Sequence, residues 1–230
     1  MGRKDLEKYS KVVLGLGIRL FVFIYFVVLV TNVEDVFEFY TYKNILRLTL
    51  GVSLISFCIL SAIMSHNFIM KPYLYNQSDY QENTLFHRVV SMYSFLLASM
   101  LLFTVMPIGL FMLLESFMHF IPDTFTIQLS IEIIQMILVS IVSVCMIGMM
   151  SMGIGLLKKS SLMIFISTIL LVPIYGNMTI NESQYTWMIL VISTFIASIL
   201  LYNTVSFNQR KEEKENGREE NGRTHKESNQ

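Results

Sequence analysis

The stretch that decides the fold is residues 128–176, which read QLSIEIIQMILVSIVSVCMIGMMSMGIGLLKKSSLMIFISTILLVPIYG. Residues 133–157 hold 25 positions without a charge, the pair Lys158–Lys159 follows, and residues 160–176 are again uncharged. An apolar run of about 18 residues or more is long enough to cross the hydrocarbon core of a bilayer as a helix. Two such runs around a basic pair predict a membrane hairpin whose turn faces the cytoplasm.

The composition of the whole chain predicts the same environment. Of its 230 residues, 53% are hydrophobic and only 15% are charged, whereas a soluble domain carries about 25% charged residues. The apolar runs are long and do not alternate, which predicts helices rather than barrel strands. We therefore expect an all-α, polytopic membrane helix bundle that is in contact with the lipid bilayer. The basic residues form no single patch, so nucleic acid is not an expected partner.

Six transmembrane spans are predicted, at about 12–31, 45–64, 89–114, 131–157, 160–176 and 185–205. They make up a transmembrane domain over residues 1–207. Residues 208–230 carry six Lys or Arg and six Glu, which predicts a disordered, charged cytoplasmic tail. In this arrangement 14 of the 17 Lys and Arg residues lie on one side, so both termini are expected in the cytoplasm.

Three places disturb a simple pattern of spans. Arg19 lies inside the first span, so either its guanidinium reaches back to the cytoplasmic interface, or Asp5–Arg19 is a separate surface helix. Pro107 and Gly109 lie inside the third span, which predicts a kink or a broken last turn. Residues 66–88 form the longest polar break between spans.

Small residues recur along one face of the fourth span. They lie at intervals of three, four and eight, with Val144 completing the spacing, at Ser140, Gly148, Ser151 and Gly155. Such a stripe lets another helix approach closely. Two interpretations stay open: packing within the chain, or a pore or dimer face that lines a substrate path.

Glu132 and Gln135 are polar candidates at the outer end of the same span. An acid near the membrane core is a functional hypothesis by default. The alternative is that Glu132 stands in the headgroup region, because Gln128 and Ser130 precede it.

Enzyme chemistry is not predicted. The four His residues are isolated, no HExxH motif is present, and no GxxxxGK[ST] loop is present that would hold a nucleotide. Cys58 and Cys145 lie in apolar runs, where a thiol usually packs as a small apolar group. We expect no catalytic residue, no metal site and no cofactor.

Three patterns carry a resemblance to a known family. Between the second and third spans an acid, a hydroxyl residue with Leu and a basic residue follow one another, as Glu82, Thr84, Leu85 and Arg88. Residues 153–171 read GIGLLKKSSLMIFISTILL, a small-residue run, a basic turn and a Ser-rich span, and residues 199–211 read ILLYNTVSFNQRK. In these patterns the chain resembles half-size permease subunits of bacterial ABC exporters, a class that includes drug, antibiotic-peptide and lantibiotic-immunity exporters.

The resemblance implies a function. A separate ATP-binding subunit would dock on residues 66–88 and the N-terminus and contact Glu82 and Arg88, and the pore would form between two permease chains in a homo- or heterodimer. The substrate would be a peptide or another amphipathic compound, and the location a bacterial plasma membrane. Two alternatives stay open: a stand-alone immunity or accessory protein that binds a peptide or partner without transport, and a solvated loop as the setting of Glu82 and Arg88.

Overall fold

The computed structural model describes residues 3–33, 41–75, 82–118, 121, 126–180, 186–200 and 202–203. Every element in these residues is helical, which confirms the predicted all-helical class. The helices are α1 (Arg3–Val33), α2 (Tyr42–Ser65), α3 (Lys71–Tyr75), α4 (Glu82–Met118), α5 (Ile127–Leu157), α6 (Ser161–Ile180) and α7 (Thr186–Leu200). A π-helical turn, His66–Met70, joins α2 to α3 without a break.

Among the described residues, four helical segments are long and apolar enough to cross a membrane: Glu7–Val30, Tyr42–Leu74, Phe86–Met118 and Ile127–Leu157. Their length and composition are those of a membrane-embedded protein. The last two helices contribute shorter apolar runs, Ser161–Asn177 and Thr186–Leu200. Six spans with cytoplasmic termini therefore stay a prediction. The predicted tail, 208–230, lies outside the described residues.

One end of the bundle brings together the start of α1, the end of α2 and the start of α6. The Asn67 side-chain amide donates to the Tyr9 hydroxyl at 2.8 Å, and the ring of His66 lies 6.2 Å from that of Phe165. The turn between α5 and α6 belongs to the same end. We call this end of the bundle the basic end, because it carries the cationic residues Lys8, Lys11, Lys71, Arg88, Lys158 and Lys159.

The opposite end gathers the start of α2, the end of α4 and the start of α5. We call it the carboxylate end, because Glu115 and Glu132 lie there. Two helices begin at this end on threonine N-caps: Thr41 Oγ1 accepts from the Asn44 amide at 3.3 Å, and Thr126 Oγ1 accepts from the amide of residue 129 at 3.2 Å. Each cap satisfies an amide that would otherwise lack a partner.

The centre of the bundle is formed by α2 and α5. These two helices pack on each other and on α6, while α1 packs mainly on α4. The apolar windows of α2 and α5 are also more buried than those of α1 and α4. One core cluster fills the half towards the basic end and includes Val13, Phe57 and Met146. A second fills the half towards the carboxylate end and includes Leu46 and Phe111.

Helical structure extends further than the sequence suggested. The first helix is continuous from Arg3 to Val33, so no separate surface helix forms over Asp5–Arg19. The fourth helix passes Pro107 without interruption and ends at Met118, so the expected broken last turn is wrong, while the alternative of a kink stays a prediction. A proline is tolerated in such a helix when its neighbours compensate for the missing hydrogen bond. The polar segment 66–88 is helical on both sides of residues 76–81, which are not described.

A proline explains the change of winding between α2 and α3. The amide of Lys71 bonds to the carbonyl of His66, five residues earlier, as in a π-helix. Pro72 has no amide hydrogen, and its ring crowds the carbonyl four residues before it. The turn therefore widens at His66–Met70 instead of ending, and the helix continues to Tyr75. Single π-helical turns are often found at functional sites.

The turn between α5 and α6 is closed by a Schellman motif. Lys159 adopts a left-handed conformation with φ of 47°. The amide of Ser160 bonds to the Gly155 carbonyl at 3.0 Å and that of Lys159 to the Leu156 carbonyl at 3.2 Å, which is the pattern of this motif. The two lysines also place positive charge at the negative end of the helix dipole.

Candidate functional site

Glu115 is a buried carboxylate at the carboxylate end. Only 3% of the residue is exposed. Its Oε1 accepts from the amide of Ile121 at 2.7 Å and from the hydroxyl of Tyr42 at 3.4 Å. Its Oε2 is buried and has no hydrogen-bond partner among the described residues. Glu115 therefore ties α4 to Ile121 and to α2, and retains one oxygen that can accept a donor.

A second carboxylate at this end is paired. Glu132 Oε2 accepts from the Lys43 ammonium at 2.5 Å, with the two side chains 23% and 32% exposed. The amide of Gln128 lies 3.5 Å from the other oxygen. Arg47, one turn after Lys43 on α2, places a second positive charge nearby. The pair therefore fixes the start of α2 against the start of α5, and about 1 kcal/mol is typical of such partly exposed pairs.

The two predicted polar residues of this end separate in the structure. Glu132 joins the ion pair, whereas Gln135 is exposed on α5 and takes no part in it. Within the described residues no group of three His, Cys, Asp or Glu could hold a metal ion. At the carboxylate end, Glu115 can accept a hydrogen bond or bind a positively charged group.

The small-residue face of α5 points into the bundle. Ser140, Gly148, Ser151 and Gly155 are all buried. A Cβ on Gly148 would collide with Ser61 Oγ of α2, and one on Gly155 would collide with Ile164 of α6. The space beside the face is thus occupied by side chains of the same chain. The pore or dimer-face hypothesis stays a prediction.

Buried hydroxyls cluster beside Gly148. A Cβ there would lie 2.9 Å from the hydroxyl oxygen of Tyr93 as well as against Ser61. The Tyr93 hydroxyl also interacts with the hydroxyls of Ser61 and Ser65, and the buried hydroxyl of Ser151, one turn later, has no hydrogen-bond partner among the described residues. The absence of a side chain on Gly148 therefore leaves room for polar atoms of two other helices.

The two residues proposed to contact an ATPase lie at the start of α4. Glu82 is its first residue and Arg88 stands on its second turn, where its side chain is half-buried. Both are helical, so the loop interpretation is wrong for the backbone. The neighbouring end of α2 is held to α1 by the pair of Asn67 and Tyr9. These contacts make the basic end a connected surface of several helices.

Sequence reasoning missed Glu115 and the pairing of Lys43 with Glu132. The third predicted span, 89–114, ends one residue before Glu115. One signal was available, since no Gly or Pro separates it from the Leu113–Leu114 pair that precedes it. The Lys43–Glu132 pair spans 89 positions, and one sequence contains no signal for such a pairing.

Comparisons with protein-family models, with curated proteins and with solved structures find no match to this chain. The class that its fold defines is a helical, membrane-embedded protein.

Proposed function

We propose that this chain is the permease subunit of an ATP-driven exporter in a bacterial plasma membrane. It has six spans, its basic end faces the cytoplasm, and it has no nucleotide site of its own. A separate ATPase chain docks at the basic end. The substrate is a peptide or another amphipathic compound, handled for antimicrobial export or self-immunity.

The observation that carries the proposal is the length of the helical hairpin formed by α2–α3 and α4. The apolar helical segment Tyr42–Leu74 has 33 residues, or about 50 Å at the usual rise per residue. About 20 residues are enough to cross a hydrocarbon core of about 30 Å. Roughly a third of this segment is therefore available beyond the core. At the basic end that extension carries the polar residues Asn67 and Lys71.

Contacts at the basic end support transmission of a movement from this hairpin to the spans. The ring of Tyr9 lies 5.2 Å from that of Phe68, and the same tyrosine accepts the bond from Asn67. His66 faces Phe165 at the start of α6. A force applied to the end of α2 would therefore reach α1 and α6 directly.

The second candidate function is a stand-alone immunity or accessory protein that binds a peptide or partner without transport. The packing of α5 favours it. The face with Gly148 and Gly155 packs against Ser61, Tyr93 and Ile164 of the same chain. This contact supports packing within a single chain, which is what a stand-alone protein requires.

Reversal of the charge at Glu82 tests the first candidate. In Glu82→Lys, with Arg88 unchanged, we expect the ATPase chain to be lost from the detergent-purified complex by tenfold or more. The expected cause is that a contact to a basic surface becomes repulsive. The measurement is the amount of Walker A-containing protein, and of ATP hydrolysis, that co-purifies with the tagged full chain.

Glu219→Lys is the matched control, because it makes the same change of charge in the predicted tail. It should retain the ATPase, and both variants should insert into the membrane in normal amounts. Equal ATPase recovery with Glu82→Lys would discard the contact. If the unchanged chain carries no ATPase, and cells without it export and resist peptides normally, the stand-alone function is favoured.

A further inference from the structure

Arg19 lies near the middle of an apolar span, on the outside of the bundle. It is the thirteenth residue of the 24-residue segment Glu7–Val30. The inner side of α1, with Val13, Leu20 and Ile24 each no more than 5% exposed, packs against the rest of the bundle. Arg19 is exposed and lies on the other side of the helix.

The outer side of α1 carries a regular stripe. Its members follow one another at alternating intervals of three and four residues: Val12, Gly15, Arg19, Val22, Phe26 and Leu29. The apolar members are between 44% and 63% exposed. A repeat of this kind is the seam along which two helices pack. At Gly15, one turn before Arg19, a Cβ would meet nothing within 4 Å, so a neighbouring helix could approach closely there.

An arginine at this depth is stabilised either when its guanidinium reaches back to the cytoplasmic interface or when an acid on a neighbouring helix pairs with it. At the centre of a membrane helix it costs roughly 3 kcal/mol on insertion scales. Arg19 takes part in neither the Lys11–Glu7 ion pair nor the Lys43–Glu132 ion pair of the described residues. The compensating acid is therefore sought outside this chain.

We propose that the stripe from Val12 to Leu29 is the docking face for a transmembrane helix of a different subunit, which carries an Asp or Glu at mid-depth opposite Arg19. A second copy of the chain fits less well. Two copies related by an axis along the membrane normal would bring Arg19 against Arg19 at the same depth, and like charges repel. The inference requires only that the chain is embedded in a membrane and does not depend on transport.

Energy transfer in vesicles tests the proposal. The full chain, labelled with a donor at its C-terminus, is reconstituted in phosphatidylcholine with an acceptor-labelled Leu–Ala helix of 24 residues. The helix has Glu, Gln or Leu at its centre, or Glu moved seven positions towards one end. We expect about tenfold stronger association for the central Glu helix than for the central Leu helix, as polar contacts between membrane helices allow.

Two variants of the chain make the test specific. Arg19→Leu should reduce association with the Glu helix to the level of the Leu helix, whereas Arg19→Lys should retain a preference for Glu. The displaced Glu helix should associate no better than the Leu helix.

Three results would overturn the proposal. The first is equal association of the Glu and Leu helices with the unchanged chain. The second is a preference for Glu that disappears when phosphatidylglycerol is added, because Arg19 would then pair with lipid phosphate. The third is self-association of the chain that Arg19→Leu abolishes, because the face would then belong to a second copy.

Discussion

Gly148→Ala is expected to lower the free energy of unfolding by about 2 kcal/mol. The added methyl group would collide with Ser61 Oγ and lie 2.9 Å from the Tyr93 hydroxyl, and overpacking of a dense core costs typically 1–3 kcal/mol. The neighbouring atoms are not free ends of long side chains, since Ser61 and Tyr93 are 0% and 4% exposed. Gly148→Leu should prevent assembly of α2 and α5 altogether. The measurement is reversible unfolding of the purified chain in mixed micelles with increasing SDS.

Gly15→Ala is the matched control for this prediction. It makes the same substitution in a helix, at a position where a Cβ would meet nothing within 4 Å. It should be neutral or slightly stabilising, because alanine favours a helix more than glycine does. Equal stability of the two alanine variants would show that α5 does not pack on α2 and α4 through Gly148.

Glu115→Ala is expected to destabilise the chain by about 3 kcal/mol in the same measurement. The substitution removes the acceptor of the Ile121 amide, and an unsatisfied buried donor costs about 1–3 kcal/mol. It also leaves unfilled the space of a side chain that is 3% exposed, which adds a cavity term. The loss should appear as earlier unfolding of the carboxylate end.

Glu115→Gln separates the hydrogen bond from the charge. The amide oxygen can accept the Ile121 bond as Oε1 does, so stability should remain within about 1 kcal/mol of the unchanged chain. The Tyr42 hydroxyl should hold Glu115 less firmly than the Ile121 amide does, because its bond is longer, at 3.4 Å. If Glu115→Ala unfolds like Glu115→Gln, the carboxylate does not hold the end of α4 in place.

The fold class could be predicted from the sequence because long apolar runs leave few alternatives in a membrane. Backbone groups in lipid must be satisfied within the element, and a helix does this over any length. The ends of the helices were less predictable. A hydropathy profile predicts that a span ends where polar residues begin. After Ser65, however, the polar residues continue the helix of α2 through a π-helical turn.

The site residues were predictable only where local spacing carried the information. The face of Ser140 to Gly155 follows from helical periodicity, but its neighbours Ser61 and Tyr93 come from distant positions. The buried position of Glu115 depends on its contacts with Tyr42 and Ile121. Tyr42 and Glu115 are 73 positions apart, and no local sequence pattern predicts a contact over that distance. The sequence shows that Arg19 is a charged residue inside an apolar span. Only the packing of α1 shows that its side chain faces away from the bundle.

The proposed function and the proposed docking face depend on different ends and faces of the molecule. In the proposed function an ATPase would act at the basic end through Glu82, whereas in the proposed docking a partner helix would act at mid-depth through Arg19. Loss of one contact should leave the other intact. A chain with Glu82→Lys should still associate with the Glu helix, and a chain with Arg19→Leu should still retain its ATPase.

The central claim is that the bundle crosses the membrane with the basic end in the cytoplasm. Its most direct test is labelling of single introduced cysteines by a membrane-impermeant maleimide on intact cells. Cys58 is buried and Cys145 is half-buried, both within apolar helices, so the unchanged chain is the unlabelled background. Gln128→Cys at the start of α5 should react in intact cells, and Lys158→Cys in the turn after α5 only once the membrane is opened. Labelling of both positions in intact cells, or of Lys158→Cys alone, would contradict the account.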